Sequence, residues 1–176
     1  MKRVIVILLS LAVLLSLWSC TAQKAPEEDT ILFYYERDTG DPDRYLYGTA
    51  DGVIAPEERD LAGHGDDLWF LLTLYLKGPN SDGLVSPFPM NTALVDVFWE
   101  DTALTVTVSG SFSSLSDMEM TLAAASLSAT CFGLTDAEAV NFTVTPVADE
   151  RSYSLTLTRD DLILTDNAAS AETAAQ

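Results

Sequence analysis

Residues 71–110, LLTLYLKGPNSDGLVSPFPMNTALVDVFWEDTALTVTVSG, pass from a helical to an extended apolar period, and that change decides the fold class. Upstream, Asp66 to Lys77 reads as a helix: Asp66 caps it, Asp67 complements its dipole and Gly78-Pro79 ends it. Leu68, Leu71, Leu72, Tyr75 and Leu76 recur at the spacing of a core-facing stripe. Downstream, Ala93 to Val108 reads as a hairpin. Val95, Val97 and Trp99 alternate on one arm, Leu104, Val106 and Val108 on the other, with Glu100-Asp101-Thr102 at the turn.

Working outward, ILFYYE at Ile31–Glu36 is a dense β-branched and aromatic run, expected as a central strand. The turn-rich DTGDPD (38–43) follows, and Tyr45–Thr49 is expected to begin a second extended segment. Ser116-Asp117-Met118-Glu119 has the form of a capping box, opening a helix that runs to Phe132 and stops at Gly133. Met118, Leu122, Ala125, Ala129 and Phe132 form its expected buried stripe. Val140, Phe142 and Val144 then alternate with Asn141, Thr143 and Thr145; Tyr153, Leu155 and Leu157 mark one more strand, with Leu162–Leu164 extending or following it. The order β-β-α-β-β-α-β-β predicts one α+β domain over residues 30–165, with two helices packed on one face of a largely antiparallel sheet.

The ends carry different information. Lys2 and Arg3 precede an apolar run from Val4 to Trp18, which is short for a transmembrane helix and fits a secretory signal over 1–19. Leu17-Trp18-Ser19-Cys20 resembles a bacterial lipobox, with Cys20 as the lipid acceptor, although Trp18 fills a slot that usually holds a small residue. Two acyl chains on one cysteine hold a protein stably on a bilayer. Residues 20–29 then form a lipidated tether and 166–176 an Ala-rich disordered tail. These readings place the protein on the outer face of the cytoplasmic membrane. The formal net charge is −18, and losing Lys2 and Arg3 with the leader takes it to about −20. So acidic a chain is unsuited to nucleic acid or to lying flat on anionic lipid, and suited to solubility or to a basic partner.

The quoted stretch also resembles the core of the GerMN (sporulation and spore germination) domain. The resemblance lies in Leu74 and Gly78-Pro79 closing the helix, Gly83-Leu84, Ser86-Pro87-Phe88-Pro89, and Thr92 before the hairpin. It extends over about residues 30–158, leaving DGVIAPEERDLAGHG (51–65) unmatched. Asn91 stands where that family commonly has Gly, and asparagine is the next-best residue for a positive φ. The motif residues read as scaffold. The resemblance implies an extracytoplasmic, often lipid-anchored module concerned with assembly or interaction, with no catalytic residues to carry over.

The search for chemistry yields little. His64, between Gly63 and Gly65, reads as a loop residue before a helix cap rather than a general base. Asp38, Asp41 and Asp43 lack the register and distal Glu of an EF-hand and read as a solvated turn. Cys131, left without a partner if Cys20 carries lipid, reads as a small core residue. No catalytic residue, metal ligand or cofactor is assigned. Trp69 and Phe70 make the first helix apolar nearly all round, so these two are either covered by the fold or offered to a partner. The leading expectation is a non-enzymatic, lipid-anchored binding or scaffold protein of the envelope in sporulation or germination. Its partners would be the membrane, through Cys20, and envelope or sporulation proteins. The alternative is a solute- or glycan-binding lipoprotein.

Overall fold

The computed structural model describes residues 30–40, 52–61, 63–146 and 152–162. Strand β1 (Thr30–Arg37) pairs antiparallel with β2 (Ile54–Asp60) along its length and with the short β3 (Leu84–Val85) at Glu36 and Arg37. Helix α1 (Leu68–Tyr75) lies in sequence between β2 and β3. Strands β4 (Ala93–Glu100) and β5 (Ala103–Gly110) form the expected hairpin, and Asp101 turns it at φ 53°. Helix α2 (Asp117–Leu134) crosses over to β6 (Ala139–Pro146), which runs parallel to β5, and β7 (Tyr153–Thr158) closes that sheet antiparallel to β6. A single 3₁₀ turn follows at Arg159–Asp161.

The α+β class is therefore what the structure shows, with its strands divided between two sheets of order β2-β1-β3 and β4-β5-β6-β7. One core serves both. Ring contacts run without a break from Phe33 and Tyr35 of β1, through Tyr75 of α1 and Phe88, to Phe142 of β6. Phe88, from the Ser-Pro-Phe-Pro segment, joins the two halves at ring-centroid distances of 5.7 Å to Tyr75 and 6.3 Å to Phe142. Edge-on and offset rings at such spacings add to the stabilisation from burial alone.

Helix α2 packs on β1 of the first sheet and on β6 and β7 of the second, so it is covered on several sides. This corrects its expected stripe. Met118 is exposed and Ala125 only half-buried, whereas Met120 and every other residue from Leu122 to Phe132 are buried. The small residues Ala123, Ala124, Ser126, Ser128 and Ala129 let backbones approach from both sides. The capping box is as expected: Ser116 Oγ accepts from the Glu119 N–H, and Glu119 Oε2 accepts from the Ser116 N–H at 2.8 Å. At the other end the Arg159 guanidinium donates to the carbonyls of Phe132, Thr135 and Ala137, placing a cation at the negative pole of the helix.

Strand β2 falls in the 51–65 stretch that sequence reasoning left without an element; the expected segment at Tyr45–Thr49 lies outside the described residues. Its buried positions are Ala55, Glu57 and Arg59, an alternation of charged rather than apolar residues. Arg59 Nε donates to Glu57 Oε1, while its Nη2 donates to the Gly78 carbonyl at 2.8 Å. The guanidinium also lies 5.1 Å from the Phe33 ring centroid. Glu57 Oε2 accepts the backbone N–H groups of Asn80 and Ser81 at 2.8 and 2.7 Å. This buried pair thus fixes the Gly78–Ser81 turn that carries the chain from α1 to β3. Burial acts to raise the Glu57 pKa, but the hydrogen bonds from Ser81, Arg59 and Asn80 outweigh it and hold the carboxyl below its ordinary range.

Candidate functional site

Helix α1 begins one residue later than expected. Asp67, not Asp66, is its cap, and Asp67 Oδ1 accepts the Phe70 N–H at 2.9 Å. That start turns Leu71, Leu72 and Tyr75 into the core and leaves Trp69 49% and Phe70 37% exposed. Phe70 is stacked with His64 at 4.4 Å between ring centroids, so the lone histidine covers part of an aromatic surface.

Strand β4, against which α1 packs, forms one margin of the four-stranded sheet. A bulge between Leu94 and Asp96 shifts the alternation that the sequence suggests. Leu94, Val97 and Trp99 pair with the core-facing Val108, Val106 and Leu104, whereas Val95 is displaced outward and 45% exposed. Phe98 pairs with Thr105 on the opposite face, where Thr105, Asn141 and Thr156 are joined by side-chain hydrogen bonds. Phe98 and Trp99 are 40% and 49% exposed. Of the seven exposed large hydrophobic side chains among the described residues, five (Trp69, Phe70, Val95, Phe98 and Trp99) belong to α1 and β4.

The surroundings of these five are acidic. Asp66 and Asp67 precede Trp69, and Asp96, Glu100 and Asp101 flank Phe98 and Trp99; all are exposed. Neither 63–76 nor 93–110 contains a lysine or arginine. Two of the cations elsewhere are already engaged, Arg59 with Glu57 and Arg159 with the α2 carbonyls. The free margin of β4 is itself modified: Asp96 Oδ1 accepts the Val97 N–H at 2.9 Å, occupying a donor that a further strand would use.

The other candidates sit apart. Cys131 is fully buried in α2, and burial pushes its thiol well up, which keeps it protonated and unreactive. Asp38 Oδ1 accepts the Gly40 N–H in a local turn; Asp41, Asp43 and the lipid-acceptor candidate Cys20 lie outside the described residues. Among the described residues no group of three or more His, Cys, Asp or Glu is placed to hold a metal ion. Two open concavities lie among the described residues, one lined by Gly63–Leu68 and another by residues that include Glu58, Leu74, Lys77 and Asn80.

Sequence reasoning singled out Trp69 and Phe70 and missed Phe98 and Trp99: it set Trp99 on one face of the hairpin with Val95 and Val97 and gave Phe98 no role. A signal was present. Adjacent residues of a strand point to opposite faces, so two neighbouring aromatics are both buried only if the sheet is covered on both sides.

The residues read as family motif have scaffold geometry. Gly78 ends α1 at φ 94°, Asn91 takes φ 69° just before β4, and Phe88 joins the sheets. A family model described as Germane, sporulation and spore germination, matches residues 33–145, from the middle of β1 to the end of β6. No curated protein and no solved structure matches significantly. The match takes in both helices, the buried Glu57–Arg59 pair and the aromatic surface of α1 and β4, and covers well over half of the chain: the protein belongs to the Germane family of sporulation and spore germination.

Proposed function

We propose that this protein is a lipid-anchored, extracytoplasmic binding or scaffold protein of sporulation or spore germination, acting through the surface built by α1 and β4 and without catalysis of its own. The observation that carries the reading is the gathering of five exposed large hydrophobic side chains, four of them Trp or Phe at more than a third exposure, on two abutting elements. Monomeric domains scatter such residues singly, whereas here they collect along one sheet margin and the helix that packs against it. Trp and Phe are also favoured anchors of interfaces, since they bury large areas with little loss of side-chain freedom. The anchor rests on the lipobox-like Leu17–Cys20 and its leader, which place the domain outside the membrane on a short tether.

Two measurements test the reading. A photo-crosslinking residue at Trp99, in the full chain in sporulating cells, is expected to capture an envelope protein, while the same residue at Thr156 on the far margin of the sheet does not. No capture from Trp99 above Thr156 at any stage of sporulation overturns the surface assignment. Cys20→Ser is expected to release the protein from the membrane fraction, and full retention overturns the lipid anchor.

A further inference from the structure

The acidic setting and the occupied margin of β4 together restrict what this surface can receive. Resting on the proposed interaction surface, we propose that its occupant is a cationic, apolar protein segment that docks on the side chains of α1 and β4 rather than joining the sheet as a fifth strand.

Charge selects the class of occupant. Asp66 and Asp67 precede Trp69 and Phe70, and Asp96, Glu100 and Asp101 flank Val95, Phe98 and Trp99, which occupy both faces of the margin strand β4; the two segments that build the surface contain no lysine or arginine. The nearest cation along either element is Lys77, beyond the opposite end of α1. A second copy of this chain would bring the same exposed carboxylates against themselves, and anionic lipid would be repelled likewise, since like charges juxtaposed across an interface are strongly disfavoured. Lysine or arginine in the occupant instead finds exposed carboxylates beside exposed aromatic side chains, which suit cation–π as well as apolar contact.

Geometry selects the mode of docking. Strand addition requires a row of free backbone donors and acceptors along the margin. On β4 the bulge at Leu94–Asp96 breaks the row, and the Val97 N–H is already held by Asp96. Both are devices that keep a margin from pairing with another strand. The side chains beside that protected backbone remain exposed, so recognition falls to them.

The test uses the full chain in a nonionic detergent and two immobilised peptides with identical Trp and Leu positions. One has Lys and the other Glu at every remaining position. Retention is expected to favour the Lys peptide by at least about tenfold at low salt and to fall as salt screens the carboxylates. Glu100→Lys, beside Trp99, is expected to reduce that retention severalfold more than Asp160→Lys, the same change of charge beyond β7. Phe98→Ser is expected to reduce it at unchanged net charge. Equal retention on both peptides, or on neither, overturns the charge assignment. Equal effects of Glu100→Lys and Asp160→Lys reduce the binding to general acidity and overturn the site. Binding of phosphatidylcholine vesicles that is lost in Phe98→Ser makes the occupant lipid, and Phe98→Cys dimers that exclude the Lys peptide make it a second copy; either overturns the proposal. Crosslinking from Trp99 in cells stands apart from these results. An envelope protein captured there through an acidic segment sinks this inference and leaves the interaction surface standing.

Discussion

Two strand margins in this molecule meet opposite fates. The margin of β1 away from β2 is paired with β3 only at Glu36 and Arg37, and at Tyr34 the helices complete it. The Tyr34 N–H donates to Thr130 Oγ1 of α2, and the Tyr34 carbonyl accepts from Tyr75 Oη of α1, both at 2.9 Å. Side-chain hydroxyls from two helices thus stand in for a missing strand, and the margin is enclosed in the core. The margin of β4 lies at the surface, with aromatic residues beside it and Asp96 blocking part of its backbone. A margin inside the core must have every donor and acceptor matched, because an unmatched one costs about 1–3 kcal/mol. A margin in water has no such obligation, so its side chains are free to serve recognition.

The enclosed margin breaks most severely where a charge is involved. Arg59→Leu strands the buried Glu57 carboxylate and frees the turn that leads into β3. A loss of about 3–5 kcal/mol is expected, read from denaturant unfolding. Next, Tyr75→Phe leaves the Tyr34 carbonyl unmatched and Thr130→Val leaves its N–H unmatched, each at about 1–3 kcal/mol. In Thr130→Val the Tyr34 amide should also lose hydrogen-exchange protection before its neighbours Phe33 and Tyr35, whose backbone groups face β2. Loss of protection at all three together would show that α2 holds the strand as a whole.

Acid probes the same region more gently. The Glu57 carboxyl is held below its unfolded value, so its contribution to stability is fully present above about pH 4.3, the ordinary glutamate value, and is lost as pH falls through the depressed folded value. Glu57→Gln is expected to be less stable at neutral pH and to show a shallower decline in that acidic window. An unchanged slope would place the acid sensitivity elsewhere. The exposed margin should respond least in stability: Asp96→Ala is expected to cost no more than about 0.5 kcal/mol, as for most surface changes. It frees the Val97 N–H, however, and should increase concentration-dependent association measured by sedimentation. Asp96→Asn removes the same charge but keeps an acceptor, so it is expected to remain as unassociated as the wild type.

Much of this fold was legible because its signals are local. The Ser116–Glu119 capping box, the stop at Gly78-Pro79, the hairpin expected over 93–108 and the positive φ expected of Asn91 all depend on residues a few positions apart, and the structure shows each of them. Strand β2 was not legible, because its buried face is Ala55, Glu57 and Arg59 and its Pro56 weakens any strand signal. Proline is tolerated there since β2 is a margin and Pro56 opposes Tyr34, whose own backbone groups point away to the helices. The division into two sheets was equally hidden. Whether successive strands share a sheet depends on where α2 sits, and α2 reads as an amphipathic helix until both of its faces are seen to be covered.

The candidate surface divides in the same way. Trp69 and Phe70 stood out because α1 is too apolar for a helix with a single buried face. Val95 did not, because the bulge that turns it outward leaves no mark in the residue pattern, whereas the adjacent Phe98 and Trp99 carried a signal in their being neighbours on one strand.

The sequence by itself determined the α+β class, the family, the helix and hairpin limits to within a few residues and the strongly acidic character, all properties of composition and short spacing. Tertiary structure alone decided that Glu57 and Arg59 belong in the core, that hydroxyls of Thr130 and Tyr75 complete β1, and that the aromatics of α1 and β4 gather on neighbouring elements at the surface. The physical reason is range. Capping, turns and periodicity act between residues a few positions apart, whereas burial and exposure depend on which distant segment comes to lie on each face.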